Sequence, residues 1–268
     1  MDSIQITIEA TEEQQEILIS QLEELNSNGF EQTQSNLLAY FSENNFKSYE
    51  VNELLKNYHF TINTIKDQNW NAVWENNFQP VVVDGFCAIR ADFHQPINDV
   101  DYEIIITPKM SFGTGHHATT YMMIAQMKDI DFANKKVFDF GTGTGILAIL
   151  AEKLGASSVQ AIDVDDWSIQ NAKENIEKNA SSNINVELSS KIPAKKFDIV
   201  LANINRNVII QYLPELKNAL HENSYLLLSG LLTTDQKDIV EACIKENLVL
   251  IKQTEKNNWI SLLFVNSK

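Results

Sequence analysis

The chain has 268 residues, 36 acidic against 21 basic, and a formal charge of −15, which argues against a general grip on nucleic acid because phosphate binding needs clustered Lys and Arg, and no sequence-specific nucleic-acid partner is expected. Its two cysteines, Cys87 and Cys243, lie far apart with no C-x-x-C spacing, which excludes a disulfide framework or cysteine metal cluster and reads as two reduced core thiols. The N-terminus lacks a basic run followed by an apolar one, and no window reaches membrane-spanning length, so a cytoplasmic protein is expected, its acidic surface serving solubility or a basic protein partner.

The length suits two modest domains or one large one. In residues 1–66, Ile4, Ile6 and Ile8 alternate as in a half-buried strand, and Ile17, Leu18, Leu22 and Leu25 share a helical face within Glu12 to Leu25, ended by Asn28 and Gly29. A strand-like segment at Leu37 to Phe41, a helical one at Tyr49 to Leu55 and an alternating one at Tyr58 to Ile65 follow. This β-α-β-α-β order suggests a small α+β, ferredoxin-like domain with helices over one face of its sheet. It carries no chemical motif, so it serves to recognise a partner or to oligomerise.

Residues 67–100 read as a structured connector. Trp70, Val73 and Trp74 share a helical face, as anchors rather than ligand groups, and Pro80 and Pro96 bracket the apolar Val81 to Val83. In residues 101–268, an apolar strand at Ile104 to Ile106 leads into PKMSFGTGHHATT, Pro108 to Thr120, where Thr119 or Thr120 could cap a helix over Tyr121 to Met127. The paired His116 and His117 invite a metal. Sequence neighbours do not face one site on a helix and no other Cys/His cluster is available, so no metal is expected and a loop that closes on a bound ligand is the better reading.

The stretch Lys135 to Asp165 is the organising unit: a short strand at Val137 to Phe140, a turn through Gly141, Gly143 and Gly145, a helix carrying Ile146, Leu147, Ile149 and Leu150, then a strand ending at Asp163. Such glycines let the backbone approach a ligand, and a carboxylate at the second strand end can accept hydrogen bonds from ribose hydroxyls. A dinucleotide fingerprint needs glycine at 146, where this chain has Ile146. Alternation of strands and helices continues to the C-terminus, and the last two strands, Leu248 to Thr254 and Trp259 to Val265, are joined by a turn at Lys256, Asn257 and Asn258. Gly141, Asp163 and Asn203 all fall at the carboxyl ends of strands, where open α/β sheets bind ligands.

Asp139 followed by G-x-G-x-G resembles the first motif of S-adenosylmethionine-dependent methyltransferases. SFGTGHHATT, DFGTGTGILAI, AIDVD, LANI and LSG in this order and spacing, with NWNAVWENNFQP upstream, resemble the bacterial family that methylates ribosomal protein L-eleven (L11). The resemblance implies a Rossmann-like seven-stranded class I methyltransferase domain over residues 101–268, preceded by a domain that recognises the ribosomal protein. It also implies S-adenosyl-L-methionine as cofactor, contacted by Thr120, Gly141, Gly143, Asp163 and Asn203, and lysine or terminal amines as acceptors. The chain departs from the family pattern at Lys109 after Pro108 and at Asn205-Arg206-Asn207. No His/Asp pair stands out as a general base, so the catalytic residues are unassigned, and a monomer is expected. Another protein or small-molecule amine as substrate, or a non-catalytic ribosome-binding factor of the same fold, are the alternatives. Adenine-amino and protein-glutamine methyltransferases carry Asn-Pro-Pro-aromatic where this chain has Asn203-Ile204-Asn205.

Overall fold

The computed structural model describes residues 3–23, 25–65, 78–108 and 113–267. The chain divides into two compact units, Met1–Val73 and Trp74–Lys268. Trp70, Val73 and Trp74 lie outside the described residues.

The first unit contains β1 (Ser3–Glu9), α1 (Glu12–Glu23), β2 (Gly29–Gln32), β3 (Asn36–Ser42), α2 (Ser48–Leu54) and β4 (Phe60–Ile65). Its strands pair in the order β2-β3-β1-β4, antiparallel throughout, a split β-α-β arrangement. Ile4, Ile6 and Ile8 face a core with Leu18, Leu22, Leu37, Phe41 and Val51, while the residues between them are not buried. Two sequence expectations change here. One strand was expected between the helices and there are two, because β2 is a short, polar edge strand with no apolar alternation. Ile17 is 58% exposed, and Gln15 instead occupies the buried face, its Nε2 donating to the carbonyls of Ala10 and Thr33 at 2.9 Å each. Thr11 and Gln14 start α1 with reciprocal hydrogen bonds, the arrangement of a capping box.

The second unit begins with β5 (Val81–Val83), β6 (Cys87–Ala91) and β7 (Tyr102–Ile106), a three-stranded sheet. Residues 78–100 are therefore built into this unit. There follow α3 (Ala118–Met127), β8 (Lys136–Phe140), α4 (Ile146–Lys153), β9 (Ser158–Asp163), α5 (Asp166–Lys178), β10 (Ile184–Leu188), β11 (Phe197–Asn203), α6 (Arg206–Asn218), β12 (Leu220–Leu232), α7 (Gln236–Lys245), β13 (Leu248–Lys256) and β14 (Trp259–Asn266). The seven-stranded sheet has the order β10-β9-β8-β11-β12-β14-β13. Neighbours from β10 to β12 are parallel, and β14 runs antiparallel to both β12 and β13.

Both faces of this sheet are covered. Val137, Val159, Ile199 and Leu201 pack with Met123, Met127, Ile146 and Leu150 on one side, and Phe138, Phe140, Val200 and Ala202 pack with Ile209, Leu213, Ile239 and Cys243 on the other. Strands buried on both faces read as continuous apolar runs, as the sequence has them. Both cysteines are buried free thiols, pushed by burial up to about 12. Among the described residues no helix is long and apolar enough to cross a membrane.

Candidate functional site

β8 ends at Phe140, and the chain reverses through Gly141, Gly143 and Gly145, all at positive φ. The amides of Gly141 and Thr142 both donate to the Ile162 carbonyl at 2.9 Å, fixing the loop to the end of β9. Gly143 N–H donates to Asp163 Oδ2 at 2.9 Å and Asp165 N–H to Asp163 Oδ1 at 3.1 Å. Two backbone donors therefore aim this carboxylate, and each of its oxygens keeps lone-pair capacity for a further donor.

Beneath the loop Asp139 is fully buried and accepts from Thr142 Oγ1 at 2.6 Å. Burial pushes its carboxyl up to about 7; the Thr142 hydrogen bond opposes that shift and the nearby Asp163 charge adds to it. Thr144 Oγ1 donates to the Gly113 carbonyl at 2.8 Å, and Asn175 Nδ2 of α5 donates to the Thr144 carbonyl at 2.8 Å. Asn175 also accepts from Thr107 N–H at 2.7 Å, and Asn179 accepts from Ile105 N–H at 3.0 Å. α5 thus satisfies the free edge of β7 with side-chain amides, and the same helix holds the glycine loop.

The FGTG-HH segment is described from Gly113 onward. Its two histidines diverge. His116 meets the Phe78 ring edge-on at 4.8 Å, whereas His117 is the N-cap of α3, its ring nitrogen accepting from Thr119 N–H. The cap expected at Thr119 or Thr120 is therefore His117, and both threonines lie inside the helix and fully buried. Among the described residues no group of three or more His, Cys, Asp or Glu could hold a metal.

At the end of β11, Asn203 is 8% exposed and its Nδ2 donates to Thr120 Oγ1 at 3.2 Å, while its Oδ1 is buried with no partner. Gly141, Gly143, Asp163 and Asn203 line a cavity of about 460 Å³. Four of the five expected ligand positions therefore converge, and Thr120 reaches the cavity only through Asn203.

The sequence reading did not single out His117, Trp259 or Gly230 as wall residues, yet all three line this cavity. Trp259 opens β14 and packs edge-on against His117 at 4.7 Å. Gly230 lies within β12 at φ 83°, and a Cβ there would sit 2.2 Å from the Ile204 carbonyl oxygen. Only glycine lets β12 approach the Ile204 backbone so closely. The LSG run carried that signal, but closeness between strands is not visible in one sequence. The departures at Asn205 and Arg206 also acquire places. Asn205 lines the cavity and caps α6 by accepting from Val208 N–H at 3.1 Å, whereas Arg206 pairs with Asp238 at 2.5 Å and Asp235 at 3.6 Å beside α7.

The family model described as ribosomal protein L11 methyltransferase (PrmA) matches residues 2–267. A protein of that name from Phocaeicola vulgatus is 38% identical over 253 residues, covering 90% of each chain. Another from Porphyromonas gingivalis is 38% identical over 260 residues, covering 93% of this chain and 90% of the relative. The crystal structure of a ribosomal protein L11 methylase from Lactobacillus delbrueckii subsp. bulgaricus superposes with a TM-score of 0.66 at 28% identity, covering 71% of this chain and all of the other.

Proposed function

The chain belongs to the ribosomal protein L11 methyltransferase family, and on that premise we propose that it moves methyl groups from S-adenosylmethionine to lysine and terminal amines of ribosomal protein L11, as a cytoplasmic monomer. The observation that carries the reading is the pairing, in one cavity, of an Asp163 carboxylate aimed by two backbone amides with an Asn203 whose Oδ1 is buried and unpaired.

These residues fit S-adenosylmethionine. The volume lies within the range of small-molecule sites. Asp163 is placed to accept from ribose hydroxyls, the turn at Gly141 and Gly143 offers close backbone approach, and Thr120 holds the Asn203 side chain by its amide nitrogen. The cofactor supplies an already activated methyl group, so the chain has mainly to align an amine and exclude water.

The amine must be neutral. Deprotonating a lysine of ordinary pKa about 10.4 costs roughly 4.6 kcal/mol at pH 7, and desolvation beside a positive charge shifts such a group by about 3 to 5 units, so no dedicated base is required. Asp163 is the one carboxylate among the wall residues, and the Phe140, Ile204 and Val208 side chains line the same space. In this setting Asn203 Oδ1 accepts an N–H of the neutral amine and turns its lone pair toward the methyl group. The unit at residues 1–66 supplies recognition of the ribosomal protein; it offers a folded surface without chemistry of its own.

The test is the intact mass of ribosomal protein L11 after incubation with the chain and S-adenosylmethionine, beside an Asp163→Ala control. Mass gains in methyl steps that depend on Asp163 are expected. No gain from a chain that retains the cofactor would overturn the substrate assignment and leave another amine, or a binding role alone, in its place.

A further inference from the structure

Another recess among the described residues takes no part in the proposed reaction. It measures about 710 Å³ and lies between the loop from β10 to β11 and the C-terminal half of α6. Lys191, Lys195 and Lys196 rim it, over Ile192, Pro193 and Tyr212. Lys195 also enters an adjoining recess of about 330 Å³ with Lys136, Asn183 and Asn185. A third recess, of about 380 Å³, shares Ser190 and Lys191 with the first and Val164 with the 460 Å³ cavity. The hollows form one strip along the loop, bearing four lysines and the single carboxylate Glu215.

On a chain of charge −15 this is a local reversal of sign. It is also preorganised. Lys195 Nζ donates to Gln160 Oε1 at 3.2 Å and stands 5.8 Å over the Phe197 ring, and Lys196 Nζ donates to the Leu220 carbonyl at 3.0 Å. These partners are neutral, so they position the ammonium groups without cancelling their charge. Among the described residues none of the four lysines has a carboxylate within 4.0 Å.

A second observation points to an acceptor-rich ligand. Gln160, 7% exposed, lines the smaller recess, and its Nε2 is a buried donor with no partner. Its Oε1 already accepts from both Lys195 and Asn185, at 3.2 and 3.1 Å, which fixes the amide with the donor left over.

We propose that this strip binds the backbone of single-stranded RNA, with phosphates on Lys136, Lys191, Lys195 and Lys196 and a base over the apolar floor beside Tyr212. Positive grooves with an aromatic platform bind single strands without reading sequence. An acidic peptide would satisfy the lysines but has no flat apolar face to cover Ile192, Pro193 and Tyr212. The proposal does not rest on the methyl-transfer reading, since none of these lysines lines the 460 Å³ cavity.

The test is fluorescence anisotropy of labelled oligouridylate and oligoadenylate with the full chain across a salt series, for native protein and the Lys191→Gln/Lys195→Gln/Lys196→Gln variant. Thermal melting confirms that the variant is folded, and methylation of ribosomal protein L11 serves as an independent readout that these substitutions leave unchanged. Both oligomers bind at low salt, with a slope of log K against log salt of about −3 for four phosphate contacts, falling to about −0.7 in the variant with at least a tenfold loss of affinity. Absence of binding at low salt, or equal binding by the variant, overturns the proposal. Displacement of the RNA by polyglutamate as effective as by unlabelled RNA overturns it in favour of an acidic peptide.

Discussion

In the N-terminal sheet β1 and β3 bury every second residue, Ile4, Ile6 and Ile8 against Leu37, Ala39 and Phe41, whereas β8 and β11 of the large sheet are buried at nearly every position because helices cover both faces. The small sheet has one core. The large one has two, leaving its strand ends as the places where polar groups meet solvent, and there Gly141, Asp163 and Asn203 gather. A doubly covered sheet concentrates chemistry at its ends, where backbone amides and short side chains face a common space. A singly covered sheet offers a surface instead.

The difference is sharpest at glycine. Gly230→Ala forces a Cβ to 2.2 Å from the Ile204 carbonyl oxygen at a positive φ, and we expect a loss of more than about 4 kcal/mol in denaturant melts together with loss of cofactor binding. Gly29 of β2 has nothing within 4 Å of the same added atom, and Gly29→Ala changes stability by less than about 1 kcal/mol. Comparable losses at both glycines would break the comparison. Ile6→Ala, at a fully buried position of β1, costs about 2 to 5 kcal/mol, confined to the first unit. S-adenosylmethionine affinity by calorimetry stays unchanged while KM for ribosomal protein L11 rises; a parallel fall in cofactor affinity would show that the units do not divide the work.

A smaller effect tests the buried carboxyl beneath the loop. With its ordinary pKa of 3.8 raised to about 7 by burial, Asp139 keeps its proton in the folded chain over a range where the unfolded chain has lost it. Its contribution is therefore complete below about pH 4 and declines as pH rises to about 7. Asp139→Asn removes this titration, so its stability relative to the native chain improves from pH 4 to pH 7 in paired denaturation curves. A constant difference across that window would place the native Asp139 among ordinary ionised carboxylates.

Much of the large sheet was legible because its central strands carry buried apolar runs and the turn from β8 into α4 is marked by glycines, as in Val137 to Leu150. The strand-end positions Gly141, Asp163 and Asn203 followed from that order. What was not legible depends on neighbours distant in sequence. Gly230 matters through Ile204, Thr120 through Asn203, and Trp259 through His117. His117 as the cap of α3 was hidden because serine, threonine, aspartate and asparagine are the usual N-caps and Thr119 stood two residues away. In the first unit β2 escaped notice because a four-residue polar edge strand owes its form to pairing with β3, and Gln15 took a buried place from Ile17 because two carbonyls were there to satisfy.

The central claim is that the cavity where Asp163 and Asn203 meet holds S-adenosylmethionine. The most direct measurement is isothermal titration of the full chain with S-adenosylmethionine and, separately, with NAD, repeated on Asp163→Ala. We expect one S-adenosylmethionine site per chain, weakened by about 10- to 100-fold in the variant through loss of charge-assisted hydrogen bonds to the ribose, and no heat with NAD. Undiminished S-adenosylmethionine affinity in Asp163→Ala, or saturable binding of NAD, would contradict the account.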